Sequence, residues 1–269
     1  MSHYVVGDIH GCLDELLEMI DLISLESSDR LIMVGDYIDR GDQSVEMMKW
    51  LEDHPDNVIC VRGNHDENFA YYVDLMKQVD HARGLNTDAD SNAETYKLYL
   101  ATVSMLFDTD PLASKYFDMY GTIHKILENE GVTLTDLEIW ADMFRSFPLF
   151  YRIEKGKLKG RNSKRECVIV HAGYKDDIED GDERTRFFLE ARRPAYIEGG
   201  LIGGMVIAGH TPTIIQGEFT YNAGKVFKYV DRSKNCIFYD IDCGCVFRTT
   251  YPEARLACIR LEDERVFYV

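Results

Sequence analysis

The stretch VICVRGNHDE (58–67) joins an apolar run to an unusually polar turn. Its first four residues are apolar and bounded by polar ones, which is typical of a buried strand. The turn that follows brings Arg62, Asn64, His65 and two acids together within six residues. An ordinary turn needs no such set of donors and ligands. The pattern therefore predicts a strand whose carboxyl end carries functional side chains.

Two similar units precede this strand. The runs Tyr4–Val6 and Leu31–Val34 also predict strands, and they end in the polar clusters GDIHG and GDYIDRG. Amphipathic patterns between the strands predict helices at Leu13–Leu25 and Val45–Leu51. A β-α-β-α-β order predicts a largely parallel sheet with right-handed crossovers. Because ligands of open α/β sheets bind outside the carboxyl ends of the strands, we expect the three polar clusters to meet.

The middle of the chain has helical patterns and few strand signals. Helical periodicity covers Asn68–Ala82 and again 95–145, and the polar loop GLNTDADSNAE (84–94) separates the two. We interpret 84–147 as a helical insert within a single domain that spans 1–269. Because the insert lies between two strands that carry motifs, we expect it at the rim of the cleft.

Short β-type runs return after this segment and predict a second sheet, mixed or antiparallel. Three of them end in further polar residues, HAG, GHT and DCG. The acidic run DDIEDGDE (176–183) is predicted to be a solvated loop rather than a further metal site. The predicted strands are Leu149–Ile153, Val168–Val170, Val206–Ala208, Val226–Val230, Cys236–Ile241, Ala257–Leu261 and Val266–Tyr268.

Six side chains at these strand ends have the composition of a metal site. Two carboxylates, three imidazoles and an amide oxygen make a set of intermediate hardness. This set suits two ions of manganese, iron or zinc better than an all-oxygen calcium cage. The six residues are Asp8, His10, Asp36, Asn64, His171 and His210. For the other isolated histidines, His3, His54, His81 and His124, we keep a structural role.

His65 directly follows the metal-ligand candidate Asn64 and is predicted to point elsewhere. A hydrogen bond to Asp39 would orient its ring and raise its basicity, which leaves it as a general acid. Arg40 and Arg62 stand at the ends of two neighbouring predicted strands. They are predicted to bind phosphoryl oxygens, because a guanidinium matches their geometry.

Composition and charge exclude several classes of protein. The 269 residues are 45% hydrophobic and 12% aromatic, enough for a sizeable core. With 47 acids against 30 bases, the net charge of -17 argues against binding a nucleic-acid polymer. There is no apolar stretch of membrane-spanning length and no signal-peptide pattern. We therefore expect no membrane partner. The seven cysteines are scattered, odd in number and without CxxC spacing, so we expect reduced thiols and a cytoplasmic location.

The motifs GDIHG, GDYIDRG, RGNHD, HAG and GHT, in this order, resemble the signature of a known family. It is the phosphoprotein phosphatase branch of the calcineurin-like metallophosphoesterases, in its bacterial and phage form. IDCGCVF (241–247) is similar to a strand of the same members. Asp66 and HAG depart from many eukaryotic members, and the interval between RGNHD and HAG is longer than in compact ones.

The resemblance implies an α/β fold of two mixed β-sheets packed as a sandwich flanked by helices. It implies that Asp36 bridges two divalent ions. Manganese is the expected metal, and iron or zinc is the alternative. Asp8 and His10 complete one site, while Asn64, His171 and His210 complete the other. A metal-bridging hydroxide would then attack phosphorus in line, with no phosphoenzyme. The family also carries an arginine between HAG and GHT. FFLEARR offers Arg192 or Arg193 for that role, and we take Arg192.

Three functions remain open at this point. The first is a serine/threonine protein phosphatase that hydrolyses phosphomonoesters of proteins or small molecules. The second is a hydrolase of dinucleoside polyphosphates such as diadenosine tetraphosphate. The third is a non-catalytic binding module, which the complete ligand set disfavours. In the family, the dinucleoside polyphosphate branch often has alanine at the position of Asp39, so the intact pair of Asp39 and His65 favours the protein phosphatase.

Overall fold

The computed structural model describes residues 1–109, 117–128 and 131–269. Within them the chain forms two five-stranded sheets and eight α-helices. The strands are β1 (His3–Val6), β2 (Arg30–Met33), β3 (Val58–Cys60), β4 (Phe150–Ile153), β5 (Cys167–Val170), β6 (Met205–Ala208), β7 (Phe227–Asp231), β8 (Cys236–Asp240), β9 (Ala257–Arg260) and β10 (Arg265–Tyr268). The helices are α1 (Leu13–Leu22), α2 (Ser44–Glu52), α3 (Asn64–Arg83), α4 (Asn92–Thr109), α5 (Phe117–Leu127), α6 (Leu134–Ser146), α7 (Asp182–Glu190) and α8 (Arg193–Ile197).

The first sheet has the strand order β10-β9-β1-β2-β3. Strands β1, β2 and β3 are parallel, with Val5 opposite Ile32 and Ile32 opposite Ile59. This confirms the predicted β-α-β-α-β unit. The prediction that Ala257–Leu261 and Val266–Tyr268 belong to the second sheet is wrong. Strand β9 pairs antiparallel with β1, and β10 pairs antiparallel with β9. Strand β1 has β2 on one side only, so the backbone groups on its other side need hydrogen-bond partners, which β9 supplies.

The second sheet has the order β4-β5-β6-β8-β7. Its central strands β5, β6 and β8 are parallel, while β4 and β7 pair antiparallel at the two edges. The sheet is therefore mixed, which agrees with the prediction. The carboxyl ends of β5 and β6 lead directly into His171 and His210. Both sheets thus bring polar strand ends to one side of the molecule.

The two sheets pack face to face, and helices cover their outer faces. Alternate residues of a strand point in opposite directions, so Val5 and Ile32 meet Ile207 between the sheets. Leu31 points outward into a core beneath the helices that follow the first three strands. Phe238 points into a third core beneath α7 and α8. Because both faces of each sheet are buried, the central strands are continuous apolar runs.

Helices α4, α5 and α6 lie in the predicted helical insert, 84–147, which we call the helical segment. Helix α6 packs on α3 and the first sheet, where the Phe144 ring stacks on Tyr37 with centroids 6.1 Å apart and meets Phe69 edge-on at 5.7 Å. The prediction of helix over 95–145 is confirmed where these three helices stand. Residues 110–116 and 129–130 of that stretch lie outside the described residues.

Helix α3 begins at Asn64, before the predicted start at Asn68. The Asp66 carboxylate accepts a hydrogen bond from the Gly63 amide at 2.7 Å, which satisfies a backbone donor at the start of the helix. The sequence analysis predicted neither α7 nor α8. Helix α7 begins at Asp182, so the end of the acidic run is helical and the rest is a largely exposed turn.

Two predictions about the chain as a whole can be compared with the structure. None of the described helices is both long enough and apolar enough to cross a membrane. All seven cysteines are free thiols, and all are buried. The structure forms no disulfide among them, and the reduced state stays a prediction.

Candidate metal centre and phosphate-binding site

The loops after β1, β2 and β6 turn sharply where the ligand candidates stand. His10, Asp36 and His210 adopt left-handed backbone angles, with φ values of 49°, 54° and 71°. Such angles are costly for residues other than glycine and persist only where the surrounding structure holds them. The His10 and Asp36 loops hold each other, because the His10 amide donates to the Asp36 carbonyl at 2.8 Å.

Asp36 lies at the centre of the candidate site. One carboxylate oxygen, Oδ2, is 3.5 Å from His10 Nε2 and 3.9 Å from His65 Nε2. The other, Oδ1, is 3.4 Å from His171 Nε2 and accepts a hydrogen bond from the His65 amide at 2.9 Å. The carboxylate therefore faces imidazoles of both sheets. Asp36 forms one ligand group with His10 and His65 and a second with His171 and His210.

Asn64 and Asp8 are the two remaining ligand candidates, and both contact His210. The Asn64 side-chain oxygen is 2.8 Å from His171 Nε2 and 2.9 Å from His210 Nδ1. The Asp8 carboxylate accepts a hydrogen bond from the His210 amide at 3.1 Å. All six predicted ligands, which come from β1, β2, β3, β5 and β6, thus meet at the strand ends of the two sheets.

Two glycines leave room for the carboxylates. A Cβ atom at Gly63 would overlap with Asp36 Oδ1, and one at Gly209 would overlap with Asp8 Oδ1. These positions therefore require glycine because of close approach. The space that the missing side chains leave lets the two carboxylates face the imidazoles, as a metal site of this composition requires.

His65 and Asp39 contact each other as predicted. His65 Nδ1 is 2.6 Å from Asp39 Oδ2. The other oxygen, Asp39 Oδ1, accepts hydrogen bonds from the Arg40 amide at 2.8 Å and from the Thr122 hydroxyl of α5. Burial acts to lower the pKa of His65, but Asp36 and the hydrogen bond to Asp39 raise it above its usual value. His65 is therefore arranged to carry a proton.

The three predicted phosphate-binding arginines differ in placement. The Arg40 guanidinium lies 3.1 Å from both His10 Nε2 and His65 Nε2, inside the cluster. Arg192 lines the cavity in front of the cluster and is 3.7 Å from Glu218. Arg62 is directed away, since its guanidinium pairs with Glu67 at 2.8 Å and does not line the cavity. The neighbour of Arg192, Arg193, lies over the Phe219 ring instead.

A cavity of about 420 Å³ opens in front of the cluster. Asp36, Asn64, His65 and His210 form its floor, and the two arginines Arg40 and Arg192 add positive charge. Its remaining walls are partly apolar and partly acidic, and the residues that form them include Pro212, Ile215, Phe247, Glu190 and Glu218. A site of this size and mixed lining fits a small molecule.

Burial is the main cause of the pKa shifts of three ligand candidates, Asp8, His10 and His171. It raises the pKa of Asp8 well above its usual value, and the nearby carboxylates of Asp242 and Asp36 raise it further. It lowers the pKa of His10 to about 3 and lowers the pKa of His171 as well. Neutral imidazoles beside crowded carboxylates are the forms that bind a divalent cation, so the donor set fits metal.

The sequence analysis missed several contacts that shape the site. The Asp66 carboxylate accepts hydrogen bonds from the Asp36 amide at 3.0 Å and the Tyr37 amide at 3.1 Å, which ties the β2 loop to the start of α3. Asp66 was noted only as a variant within RGNHD. Thr122 gave no signal at all, because it lies 83 residues from Asp39 in the chain.

Two packed mixed sheets, with a buried cluster of His, Asp and Asn at their joint strand ends, define the class of metal-dependent phosphoesterases. The model of one family, the calcineurin-like phosphoesterases, matches residues 1–213. The chain belongs to this family. The predicted superfamily and its fold are thereby confirmed.

Relatives of known name point to a narrower group. A symmetrical bis(5'-nucleosyl)-tetraphosphatase from Psychromonas ingrahamii is 39% identical over an alignment of 300 positions. The alignment covers 99% of this chain and 96% of the relative. An enzyme of the same name from Buchnera aphidicola is 35% identical over 111 residues, 41% of this chain. That match spans only 40% of the Buchnera protein.

A solved structure shares the fold. A candidate diadenosine tetraphosphatase superposes with a TM-score of 0.51 and 19% identity, over 100% of this chain and 92% of that one. At this identity the likeness shows the fold alone. The relatives described above do not support the phosphoprotein phosphatase branch, which the sequence analysis favoured.

Proposed function

We propose that this protein is a metal-dependent hydrolase that cleaves dinucleoside tetraphosphates symmetrically. The observation that carries the proposal is the 39% identity to the Psychromonas enzyme across 99% of this chain. This reverses the order of the two enzyme functions considered from the sequence. The nucleotide hydrolase, held there as the alternative, becomes the first candidate.

The cavity supports a substrate that is both charged and aromatic. Arg40 and Arg192 line it and offer two guanidinium groups to a polyphosphate. Phe247 lies beside them, with its ring centroid 6.0 Å from the Arg40 guanidinium carbon. A nucleobase can stack on such a ring, and Pro212 and Ile215 add apolar contact area. A phosphoserine side chain has no comparable apolar part.

Under this proposal, two metal sites share Asp36. Asp8 and His10 would hold one ion with it, and Asn64, His171 and His210 would hold the other. When bound, divalent ions supply Lewis acidity and water activation for in-line hydrolysis. Mixed carboxylate, amide and imidazole ligands suit manganese, with iron and zinc as alternatives.

The other residues act on the phosphates and the leaving group. Arg40 and Arg192 neutralise charge on the polyphosphate, and their forked donors orient it. His65 is positioned by Asp39, whose Oδ2 lies 2.6 Å from His65 Nδ1, and this contact favours the protonated ring. When a nucleoside diphosphate leaves as a stable anion, this proton contributes little to the rate.

The contact between Asp39 and His65 favours a second function. An alkoxide that leaves from a phosphoserine must be protonated as the bond breaks, and a positioned acid then contributes roughly a hundred- to ten-thousandfold. The 2.6 Å pair provides such an acid. A serine/threonine phosphomonoesterase is therefore the second candidate.

Turnover of three substrates separates the candidates. Chelator-treated protein is reloaded with manganese and given diadenosine tetraphosphate, a phosphoserine peptide or p-nitrophenyl phosphate. We expect turnover only with metal, the highest kcat/KM on the dinucleotide, and ADP as its sole nucleotide product. AMP and ATP as products would overturn symmetrical cleavage, and a preference for the peptide would establish the second candidate. Full turnover without metal would overturn both.

A further inference from the structure

Two thiols from opposite ends of the chain meet behind the catalytic loops. Cys12 precedes α1, and Cys245 begins a short 3₁₀ turn that ends at Phe247. Their sulfur atoms lie within 4.8 Å of each other and of a Glu15 carboxylate oxygen. Both residues are buried, at 3% and 2% exposure, and both are free thiols.

Arg248 and Glu15 surround this thiol pair. The Arg248 guanidinium donates to Cys12 Sγ at 3.0 Å and pairs with Glu15 Oε1 at 2.5 Å. The guanidinium supplies the positive charge that a metal ion would otherwise bring, so the group is better suited to thiol chemistry than to metal binding. The second oxygen, Glu15 Oε2, is buried and has no hydrogen-bond partner in the part of the chain that the structure describes.

We propose that Cys12 and Cys245 form a reversible disulfide on reaction with a hydroperoxide, and that this bond lowers turnover. In the first step the Cys12 sulfur attacks hydrogen peroxide, which gives a sulfenic acid and releases one water. The Cys245 thiol then attacks that sulfur, and a second water leaves. Two thiols are oxidised and one peroxide is reduced. Two equivalents of a monothiol, or one dithiol, restore the starting state.

Access to the pair passes through a flexible side chain. Arg248 is partly exposed, with 43% of its side chain accessible, and it covers the Cys12 sulfur. A long side chain held at the surface changes rotamer rapidly, so a molecule as small as hydrogen peroxide can enter when it moves. Among the described thiols, Cys12 and Cys245 form the only pair grouped with a carboxylate in this way.

The bond acts on the active site because both loops belong to it. Cys12 follows His10 by two residues, and its thiol donates to the His10 carbonyl at 3.8 Å. On the other side, the turn that starts at Cys245 holds Phe247 against Arg40. A disulfide requires sulfur atoms about 2.05 Å apart and a specific dihedral angle. Its formation therefore shifts the His10 loop or the Phe247 turn.

The test compares oxidised and reduced protein. Manganese-loaded full-length protein is treated with hydrogen peroxide, quenched with catalase and assayed with p-nitrophenyl phosphate, which makes the readout independent of the nucleotide proposal. We expect the intact mass to fall by two hydrogen atoms and turnover to fall by about tenfold, since small displacements at a site have effects of this size. Dithiothreitol should restore both.

Trypsin digestion locates the bond. Cys12 lies in peptide 1–30, and Cys245 shares peptide 235–248 with Cys236 and Cys243. The two peptides should be joined in oxidised protein without reductant, and fragmentation of the wild-type product should place the link at Cys245. Cys243→Ser, the matched control, should keep both the link and the loss of turnover.

The variants Cys12→Ser and Cys245→Ser should lose the link, and each should keep its own untreated rate after peroxide. Equal inhibition of Cys12→Ser and wild type would place the damage at the metal ligands and overturn the proposal. A link through Cys236 or Cys243, or a complete link without loss of turnover, would overturn it as well.

Discussion

The two sides of Asp36 differ in what holds them. On one side, His171 and His210 follow the ends of β5 and β6, and Asn64 begins α3. His171 Nδ1 also donates to the Val34 carbonyl at 3.0 Å. On the other side, His65 depends on Asp39. The Asp39 carboxylate accepts a hydrogen bond from Thr122 of α5, a helix of the helical segment, 84–147. The first side is built by strand ends and the start of α3, whereas the second also needs α5.

This difference separates binding from proton transfer. Strand ends in a packed sandwich position ligands with little freedom, because both faces of each sheet are buried. The His65 ring reaches its orientation through Asp39 and the Thr122 hydroxyl, two contacts in series. We therefore expect changes in the helical segment to alter leaving-group protonation while metal binding persists.

The largest effect should come from Asp36 itself. Asp36→Asn keeps an oxygen for the His65 amide but removes the negative charge between the imidazoles. We expect a loss of kcat/KM of roughly a thousandfold on every substrate, together with loss of both metal ions by elemental analysis. His171→Ala, a matched change on one side only, should lose less metal. If Asp36→Asn kept two ions and its turnover, the shared role of Asp36 would be wrong.

A large but substrate-dependent effect should follow His65→Asn. The variant removes the proton donor, so we expect a loss of roughly a hundredfold or more on a phosphoserine peptide. The loss on p-nitrophenyl phosphate and on diadenosine tetraphosphate should be much smaller, because both leaving groups are stable anions. The measurement is kcat/KM on the three substrates. Equal losses on all of them would contradict a role in protonation.

A smaller effect should come from Thr122→Val. This change keeps the shape of the side chain but removes the hydroxyl that donates to Asp39. We expect roughly a threefold to tenfold loss of kcat on the phosphoserine peptide, with metal content unchanged. Thr102→Val is the control, because Thr102 is buried in α4 and its hydroxyl donates to the Leu98 carbonyl of the same helix. An equal loss in both variants would indicate a general effect on packing.

The smallest effect concerns Asp240, a buried carboxyl that lacks an imidazole partner among the described residues. Asp39, which has such a partner, is the comparison. Burial acts to raise the pKa of Asp39, but hydrogen bonds from His65 and Thr122 lower it to about 2. At Asp240, burial and the neighbouring Asp242 raise the pKa well above the usual 3.8. The pKa of Asp240 is therefore higher in the folded state than in the unfolded state. Its carboxyl stabilises the fold fully below pH 3.8, and this contribution is lost as the pH rises toward the pKa of the folded state.

Asp240→Asn removes this titration. We therefore expect the Tm of the variant to exceed that of wild type by a few degrees at pH 8, roughly the shift that 1 kcal/mol produces in a chain of this size. The difference should shrink at pH 5. Thermal unfolding at the two pH values checks the prediction, and a Tm difference that does not change with pH would contradict it.

Much of the site could be predicted from order and spacing. Asp8, Asp36 and Asn64 each follow a glycine at the end of an apolar run, and parallel strands bring such ends together. Asp39 and His65 were paired because they belong to neighbouring turns. Order and spacing do not predict the direction of the Arg62 side chain. Its position in the motif indicated phosphate, but its guanidinium contacts Glu67, a neighbour along α3 that offers an opposite charge.

By itself the sequence determined the β-α-β-α-β unit, the polar strand ends and the metal-ligand candidates, because these depend on local periodicity and on the direction of parallel strands. Only the tertiary structure decided which distant segments meet. It placed β9 and β10 in the first sheet and Thr122 against Asp39, and it brought Cys245 to Cys12. The physical reason is that such contacts depend on which backbone edges and buried polar groups still lack partners once the local elements have formed. No pattern within one segment records that.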